Sequence, residues 1–213
     1  MVAAGALISG TGTNLQAILE RIAAGRLDCE MRVAVSNRAG VLGLEHAERA
    51  GVPTRVIDHR GFSTREEFDA ALVEALRAAD VQLVVLAGFD RLVTPVLLRA
   101  FPLRIMNIHP ALLPSFKGLH GQRQALEYGV KIAGATVHFV DEHEDHGPII
   151  IQGAVPIDPG DDEEAIRRRI LEVEHHIYPT AIQLFAEGRL AVEGRRVHVR
   201  GPRPPSPAPL IQW

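Results

Sequence analysis

The sequence predicts an α/β domain with a mostly parallel central sheet and helices on both faces. Three observations carry that expectation. Apolar segments of strand length alternate with segments of helix length from residue 2 to about residue 110. Val81 to Leu86 is an unbroken apolar run, as a strand covered on both faces requires. The first strand, Val2 to Ile8, leads into the glycine turn Ser9-Gly10-Thr11-Gly12-Thr13-Asn14, and a helix follows.

Taken in order, Thr13 or Asn14 is placed to cap the first helix, which runs to about Ala24. Backbone N–H groups at such a turn point outward and suit a phosphate. The same residues also read as a plain glycine turn. Leu15 stands where a dinucleotide fingerprint needs its third glycine, and the next strand, Arg32 to Val35, ends in Ser36-Asn37 rather than an acidic residue. A monophosphate is therefore favoured over a dinucleotide. A helix over 42–50, a strand from Thr54 to Ile57 and a helix from Ser63 or Thr64 to about Ala79 come next. The Val81–Leu86 strand ends at Ala87-Gly88-Phe89-Asp90-Arg91, and a short helix spans Pro95 to Ala100.

The run Arg104 to Ile108 reads as a buried strand that stops at His109-Pro110. Asn107 and His109 are two apart and so project from one face. They stand at a C-terminal strand end, where open α/β sheets bind ligands. An amide beside an imidazole suits a carbonyl oxygen turning anionic while protons move. Beyond residue 110 the pattern changes. A loop punctuated by proline and glycine runs from Leu112 to Gly118, and Gly121 to Tyr128 reads as a helix. Ala135 to Asp141 and Pro148 to Pro156 read as strands around the polar loop Glu142-His143-Glu144-Asp145-His146-Gly147. Asp161 with Glu164 resembles a capping box, and the helix it opens is expected to stop near His176. Glu163/Arg167 and Glu164/Arg168 are expected as ion pairs along it. A second helix restarts at Tyr178-Pro179 and ends at Gly188. Leu190–Val192 and Val197–Val199 suggest a hairpin, and residues 201–213 form a proline-rich tail.

At 213 residues and 46% hydrophobic content the chain supports one domain over residues 1–200, with a phosphate-binding half to about residue 100 and a catalytic half over about 101–190. A net charge of −3 gives no general attraction to nucleic acid or acidic membranes. The single cysteine, Cys29, excludes an intrachain disulfide and fits a cytoplasmic setting. No apolar run reaches the length of a membrane span. His143 and His146 near Asp141 and Asp145 raise a metal site against a solvated acidic loop or a loop in which Asp145 alone matters. Taken singly, Arg65 reads as a solvated helix arginine. Glu174 reads as a carboxylate unfavourably placed near a helix C-terminus. His120 and His138 read as structural histidines. P-loop, G-x-S-x-G and H-E-x-x-H motifs are absent from the sequence.

The ordered set of stretches resembles the folate-dependent phosphoribosylglycinamide formyltransferases. It comprises Ile8-Ser9-Gly10-Thr11-Gly12-Thr13-Asn14-Leu15, Val35-Ser36-Asn37, Leu86-Ala87-Gly88-Phe89, Asn107-Ile108-His109-Pro110, Pro114 with Gly118-Leu119-His120, Val137-His138-Phe139-Val140, Asp145-His146-Gly147-Pro148 and Glu174-His175-His176-Ile177-Tyr178-Pro179. The resemblance implies a Rossmann-like formyltransferase fold and formyl transfer from 10-formyltetrahydrofolate to the amine of glycinamide ribonucleotide, in purine biosynthesis. It implies Asn107, His109 and Asp145 as the catalytic trio, and Gly12, Thr13 and Asn14 as the phosphate loop. Arg65 and Glu174 fall on nucleotide contacts. Arg91, Leu92 and Val93, with Asp141, His143 and Glu144, fall on the folate side. It further implies a cis Leu113-Pro114 bond and small-molecule partners; the chemistry requires no metal, no nucleic acid or membrane partner is expected, and a monomer or homodimer is expected. Asp90 and His146 depart from the family pattern, which often has an apolar residue and a glycine there. Formyltetrahydrofolate deformylase, methionyl-tRNA formyltransferase and a non-catalytic nucleotide-phosphate binding protein are the rivals. The first two normally carry an extra N- or C-terminal domain, for which the chain leaves no room.

Overall fold

The computed structural model describes residues 1–202, so the expected proline-rich tail lies almost wholly outside the described residues. The elements are β1 (Val2–Ile8), α1 (Thr13–Ala23), β2 (Cys29–Ser36), α2 (Leu42–Arg49), β3 (Thr54–Val56), α3 (Arg65–Ala78), β4 (Leu83–Leu86), α4 (Pro95–Ala100) and β5 (Ile105–His109). Then follow α5 (Gly121–Tyr128), β6 (Ile132–Phe139), β7 (Ile149–Pro156), α6 (Glu163–Ala186), β8 (Leu190–Glu193) and β9 (Arg196–Val199). The strands form one sheet in the order β3-β2-β1-β4-β5-β6-β7-β9-β8. Pairing is parallel from β3 through β5 and antiparallel from β5 to β7. The expected alternation therefore ends where the sequence pattern changes.

Alternate residues of each central strand enter different cores, as the two-residue period demands. Ala4, Ala6, Ile8, Val85 and Met106 pack with α1, α2 and the C-terminal half of α6. Leu7, Val84, Leu86 and Ile105 pack with α3 and α4 on the other face. A third cluster joins α5 and the start of α6 to Ala133, Ala135 and Val155. Strand order reverses between β1 and β4, so Ser9, Gly88 and His109 follow or end strands at the same edge of the sheet.

Several local expectations are corrected. Gly12, in the left-handed region at φ 67°, is the N-cap of α1, and neither Thr13 nor Asn14 caps it by side chain. A Cβ on Gly12 would collide with the Gly43 backbone, so only glycine lets α2 approach the turn. Asp162 caps α6 through the Ala165 N–H, while Asp161 takes Arg169 instead. Glu164 pairs with Arg167, and Glu163 reaches across to Arg123 on α5. At α3 Thr64 and Glu67 form a full capping box.

The largest correction concerns α6. It runs unbroken through Pro179 over 24 residues. An interior proline costs a helix about 3 kcal/mol. Burial on both sides of the proline offsets that cost: Ile166, Ile170, Glu174, Tyr178, Ala181 and Ile182 all face the protein interior. Glu174 is therefore mid-helix, and the argument from a helix C-terminus does not apply to it.

Two polar side chains on this buried face set its position. The fully buried Tyr178 hydroxyl donates toward the carbonyl oxygens of Leu86 and Met106, at 2.9 and 2.8 Å. It pins α6 across β4 and β5 at the edge where the site forms. Glu174 Oε2 accepts from Asn14 Nδ2 at 2.7 Å, tying α6 to the first turn of α1. Burial pushes the Glu174 carboxyl up to about 7, against the smaller opposing effects of Asn14 and Arg167.

Two outcomes follow from α6. Tyr178→Phe should lose about 1–3 kcal/mol in urea unfolding, because two buried carbonyls lose a shared donor. For Glu174, the folded state keeps a proton that the unfolded chain releases above the ordinary carboxylate range. Stability due to this group therefore falls as pH rises toward about 7 and is level above it. Relative to the parent, Glu174→Gln should gain about 1–3 kcal/mol between about pH 5 and about pH 8. Equal stability differences at both pH values would contradict the assignment.

Candidate active site

Asn107 and His109 leave β5 on one face, as their spacing requires. Across the antiparallel ladder Asn107 stands opposite His138, and His109 opposite Thr136. The β6–β7 connection then carries Asp145 back over the end of β5. Asp145 Oδ2 lies 3.2 Å from His109 Nδ1 and accepts from the Gly118 N–H at 2.9 Å. Its Oδ1 lies 3.5 Å from Asn107 Nδ2 and 3.7 Å from His138 Nε2. The three expected catalytic residues do meet, and Asp145 is an inward carboxylate rather than a solvated loop acid.

Each nitrogen of His109 faces an oxygen acceptor. Nδ1 faces Asp145, and Nε2 lies 2.8 Å from the Phe116 carbonyl. A doubly protonated ring satisfies both contacts; a neutral ring would turn a lone pair toward one oxygen. Burial alone would raise the Asp145 carboxyl. The neighbouring His138 ring, the charge on His109 and the Gly118 N–H outweigh it and hold Asp145 below its ordinary range. Asp145 therefore stays anionic beside His109.

His138 was readable as a structural histidine, and its Nδ1 is indeed held 2.8 Å from the Phe139 carbonyl. Its other nitrogen, however, lies 3.4 Å from Asn107 Nδ2 inside the site. The available signal was register: once β5 and β6 pair, His138 falls on the face of Asn107. Gly118 and the Phe116 carbonyl were also missed, because backbone groups leave no residue-type signature.

The trio opens on a cleft of about 950 Å³, in the range of small-molecule sites. Its lining includes Arg91, Leu92 and Val93 after β4, and Val140, Asp141, His143 and Glu144 after β6. Arg65, at the first position of α3, also lines it. Gly12, Thr13, Asn14 and Glu174 lie outside this lining and form a second locus at the start of α1. Among the described residues no side chain caps that helix, so its first N–H groups are free for an anion. Asn14 Oδ1 is buried without a partner among the described residues. The Leu113-Pro114 bond is cis.

Ligand atoms of Asp141, His143 and His146 lie within 4.8 Å of one another, so the loop brings together a cation-compatible set that excludes Asp145. Asp141 and the His146 ring are already engaged. Asp141 accepts from the His143 N–H at 3.0 Å and contacts His146 Nδ1 at 2.8 Å. Arg195, in the β8–β9 turn, donates to the His146 carbonyl at 2.7 Å and lies 2.8 Å from its Nε2. His146 thus latches the Asp145 loop to the C-terminal hairpin.

Comparison with known proteins agrees with this architecture. The formyl transferase family model matches residues 4–182. The phosphoribosylglycinamide formyltransferase of Escherichia coli is 41% identical over 199 residues, covering 93% of this chain and 94% of that protein. The trifunctional purine biosynthetic protein adenosine-3 of Homo sapiens is 46% identical over 182 residues, but the chain spans only 18% of its length. The crystal structure of glycinamide ribonucleotide transformylase 1 from Symbiobacterium toebii superposes with a TM-score of 0.92 at 58% identity, covering 93% of this chain and 94% of that one. The chain belongs to the formyl transferase family.

Proposed function

We propose that the protein transfers a formyl group from 10-formyltetrahydrofolate to the amine of glycinamide ribonucleotide, as a cytoplasmic enzyme of purine biosynthesis. The observation that carries the reading is the convergence of Asp145 on His109 and Asn107 at the floor of the cleft. The donor lies along the wall of Arg91, Leu92 and Val93, facing Asp141, His143 and Glu144. The apolar side chains of Leu92, Val93, Phe89 and Val140 offer a flat ring system a partner surface, while Arg91 supplies charge. The acceptor's phosphate takes the N–H groups at Gly12, Thr13 and Asn14. Glu174 and Arg65 contact the rest of the nucleotide.

The amine attacks the formyl carbon, and the carbonyl oxygen gains negative charge. Asn107 Nδ2 and a protonated His109 supply the donors it needs, and Asp145 supports the imidazolium. For His109 Nε2 to reach that oxygen it exchanges the Phe116 carbonyl for it. The tetrahedral adduct then collapses with loss of the folate nitrogen, which takes up a proton, while the amine loses one. None of these steps calls for a Lewis acid. The deformylase alternative differs only in its acceptor, so an absorbance assay of folate release with glycinamide ribonucleotide present or omitted separates the two. Release without the amine would overturn the proposal.

Loss of one oxyanion donor typically costs about 100- to 1,000-fold in rate. Asp145→Asn should therefore keep fold and substrate binding while turnover drops sharply. The His109→Ala/Asp145→Asn double variant should lose little beyond the worse single variant, since groups acting as a unit are non-additive. Multiplying losses in single-turnover measurements would show that Asp145 acts independently of His109.

A further inference from the structure

The ends of three neighbouring strands meet on one carboxylate that the reaction does not use. Asp90 follows β4 after Gly88-Phe89. Its Oδ1 accepts from Ser9 Oγ at 3.0 Å, beyond β1, and from Asn37 Nδ2 at 2.9 Å, beyond β2. Its Oδ2 takes the guanidinium of Arg38. The Asp90 N–H donates back to Ser9 Oγ at 2.9 Å, so the two residues exchange a pair of hydrogen bonds. Ser9 and Asn37 are 5% and 1% exposed, so these two neutral donors are shielded from water, while Asp90 and Arg38 stand at the surface. Burial of the carboxylate is outweighed by its Asn37, Ser9 and Arg38 partners, which keep it anionic.

The placement of these partners gives Asp90 a role. Ser9 opens the glycine turn that leads to Gly12, Thr13 and Asn14. Asp90 itself opens the wall that continues as Arg91, Leu92 and Val93, and it lines the cleft. One side chain therefore spans the anion locus and the donor wall. An apolar residue in its place would leave the Ser9 hydroxyl and Asn37 amide without their acceptor in a buried setting, and would free Arg38.

We propose that Asp90 is a positioning residue for the phosphate-bearing acceptor: it holds the glycine turn and Arg38 in register with the donor wall. Phosphate and amine belong to one molecule, so a displaced turn moves the amine away from the formyl carbon. This inference rests on the reading of the glycine turn as the phosphate site.

The test is steady-state kinetics of the parent, Asp90→Ala and Asp90→Asn, with inorganic phosphate as a competitor and thermal melting as the folding check. In Asp90→Ala, KM for the nucleotide amine and the inhibition constant for phosphate should rise together by about tenfold, with kcat falling by no more than about threefold and donor KM changing by less than about twofold. Asp90→Asn keeps an acceptor oxygen for Ser9 and Asn37 but loses the ion pair with Arg38, so it should fall between, at about two- to fivefold. If Asp90→Ala does not fold, the Asn variant carries the same comparison. Unchanged acceptor KM in a folded variant, or an equal rise in the KM of both substrates, overturns the role of Asp90. Failure of phosphate to compete with the nucleotide in the parent overturns the phosphate-turn reading and this inference with it. Competition in the parent combined with a silent Asp90 variant overturns this inference alone.

Discussion

The site depends on returning a carboxylate from the β6–β7 loop to the end of β5 and keeping it ionised there. Asp145 is far from His109 in sequence and comes from an antiparallel return rather than from the parallel half of the sheet. The loop accepts local cost to make that approach. Asp145 sits at φ 47°, a left-handed conformation uncommon outside glycine, although aspartate tolerates it better than most residues. At Gly147, where β7 begins its return, a Cβ would run into the Phe139 carbonyl. Two constraints next to each other thus aim one side chain. What holds the arrangement is the set of donors that Asp145 finds on arrival: the His109 ring, the Gly118 N–H and the Asn107 amide.

The remaining charges follow a division of labour between the two halves of the sheet. In the parallel half, backbone N–H groups at α1 and the guanidinium of Arg38 give the strand ends a positive character suited to an anion. Asp90 offsets part of that charge but spends its lone pairs on Ser9, Asn37 and Arg38. In the antiparallel half, the Asp145 carboxylate faces the His109 ring, an arrangement suited to moving protons. α6 spans both halves. Its Tyr178 hydroxyl bridges β4 and β5, and four residues earlier its Glu174 carboxyl holds Asn14. A displacement of this helix would move the start of α1, the proposed phosphate locus, and the end of β5 together.

Most of the fold was legible because burial is periodic. Continuous apolar runs marked β1 and β4, and the change of pattern after residue 110 marked the antiparallel half. Asn107 and His109 were legible as a pair because spacing on a strand fixes their common face. Asp145 was nameable only through resemblance, since its contact with His109 is set by a loop path that local sequence does not encode. The continuity of α6 was misread because Pro179 is a strong local signal, whereas the burial that overrides it is tertiary. The N-cap of α1 was misread for a related reason. Asn14 is a good capping residue by type, but the left-handed turn at Gly12 starts the helix at Thr13, so Asn14 already lies inside it and turns its amide to Glu174, 160 positions away. His138 was undervalued because its place in the site follows from strand register.

The Phe116 carbonyl joins the catalytic pair to the loop between β5 and α5. The His109 imidazole, 4% exposed, has an oxygen at each ring nitrogen, and this carbonyl supplies the second one. It occupies the direction in which His109 Nε2 would donate to a developing oxyanion. Phe116 reaches that position at φ 54°, and the same loop presents the Gly118 N–H to Asp145. The loop therefore satisfies both members of the pair from its own backbone. A bound formyl oxygen is a better partner for the imidazolium only when it carries charge, as it does in the transition state. In the proposed reaction, exchange of a neutral carbonyl for an oxyanion would favour the reacting complex over the ground state, using a backbone group that sequence patterns do not distinguish.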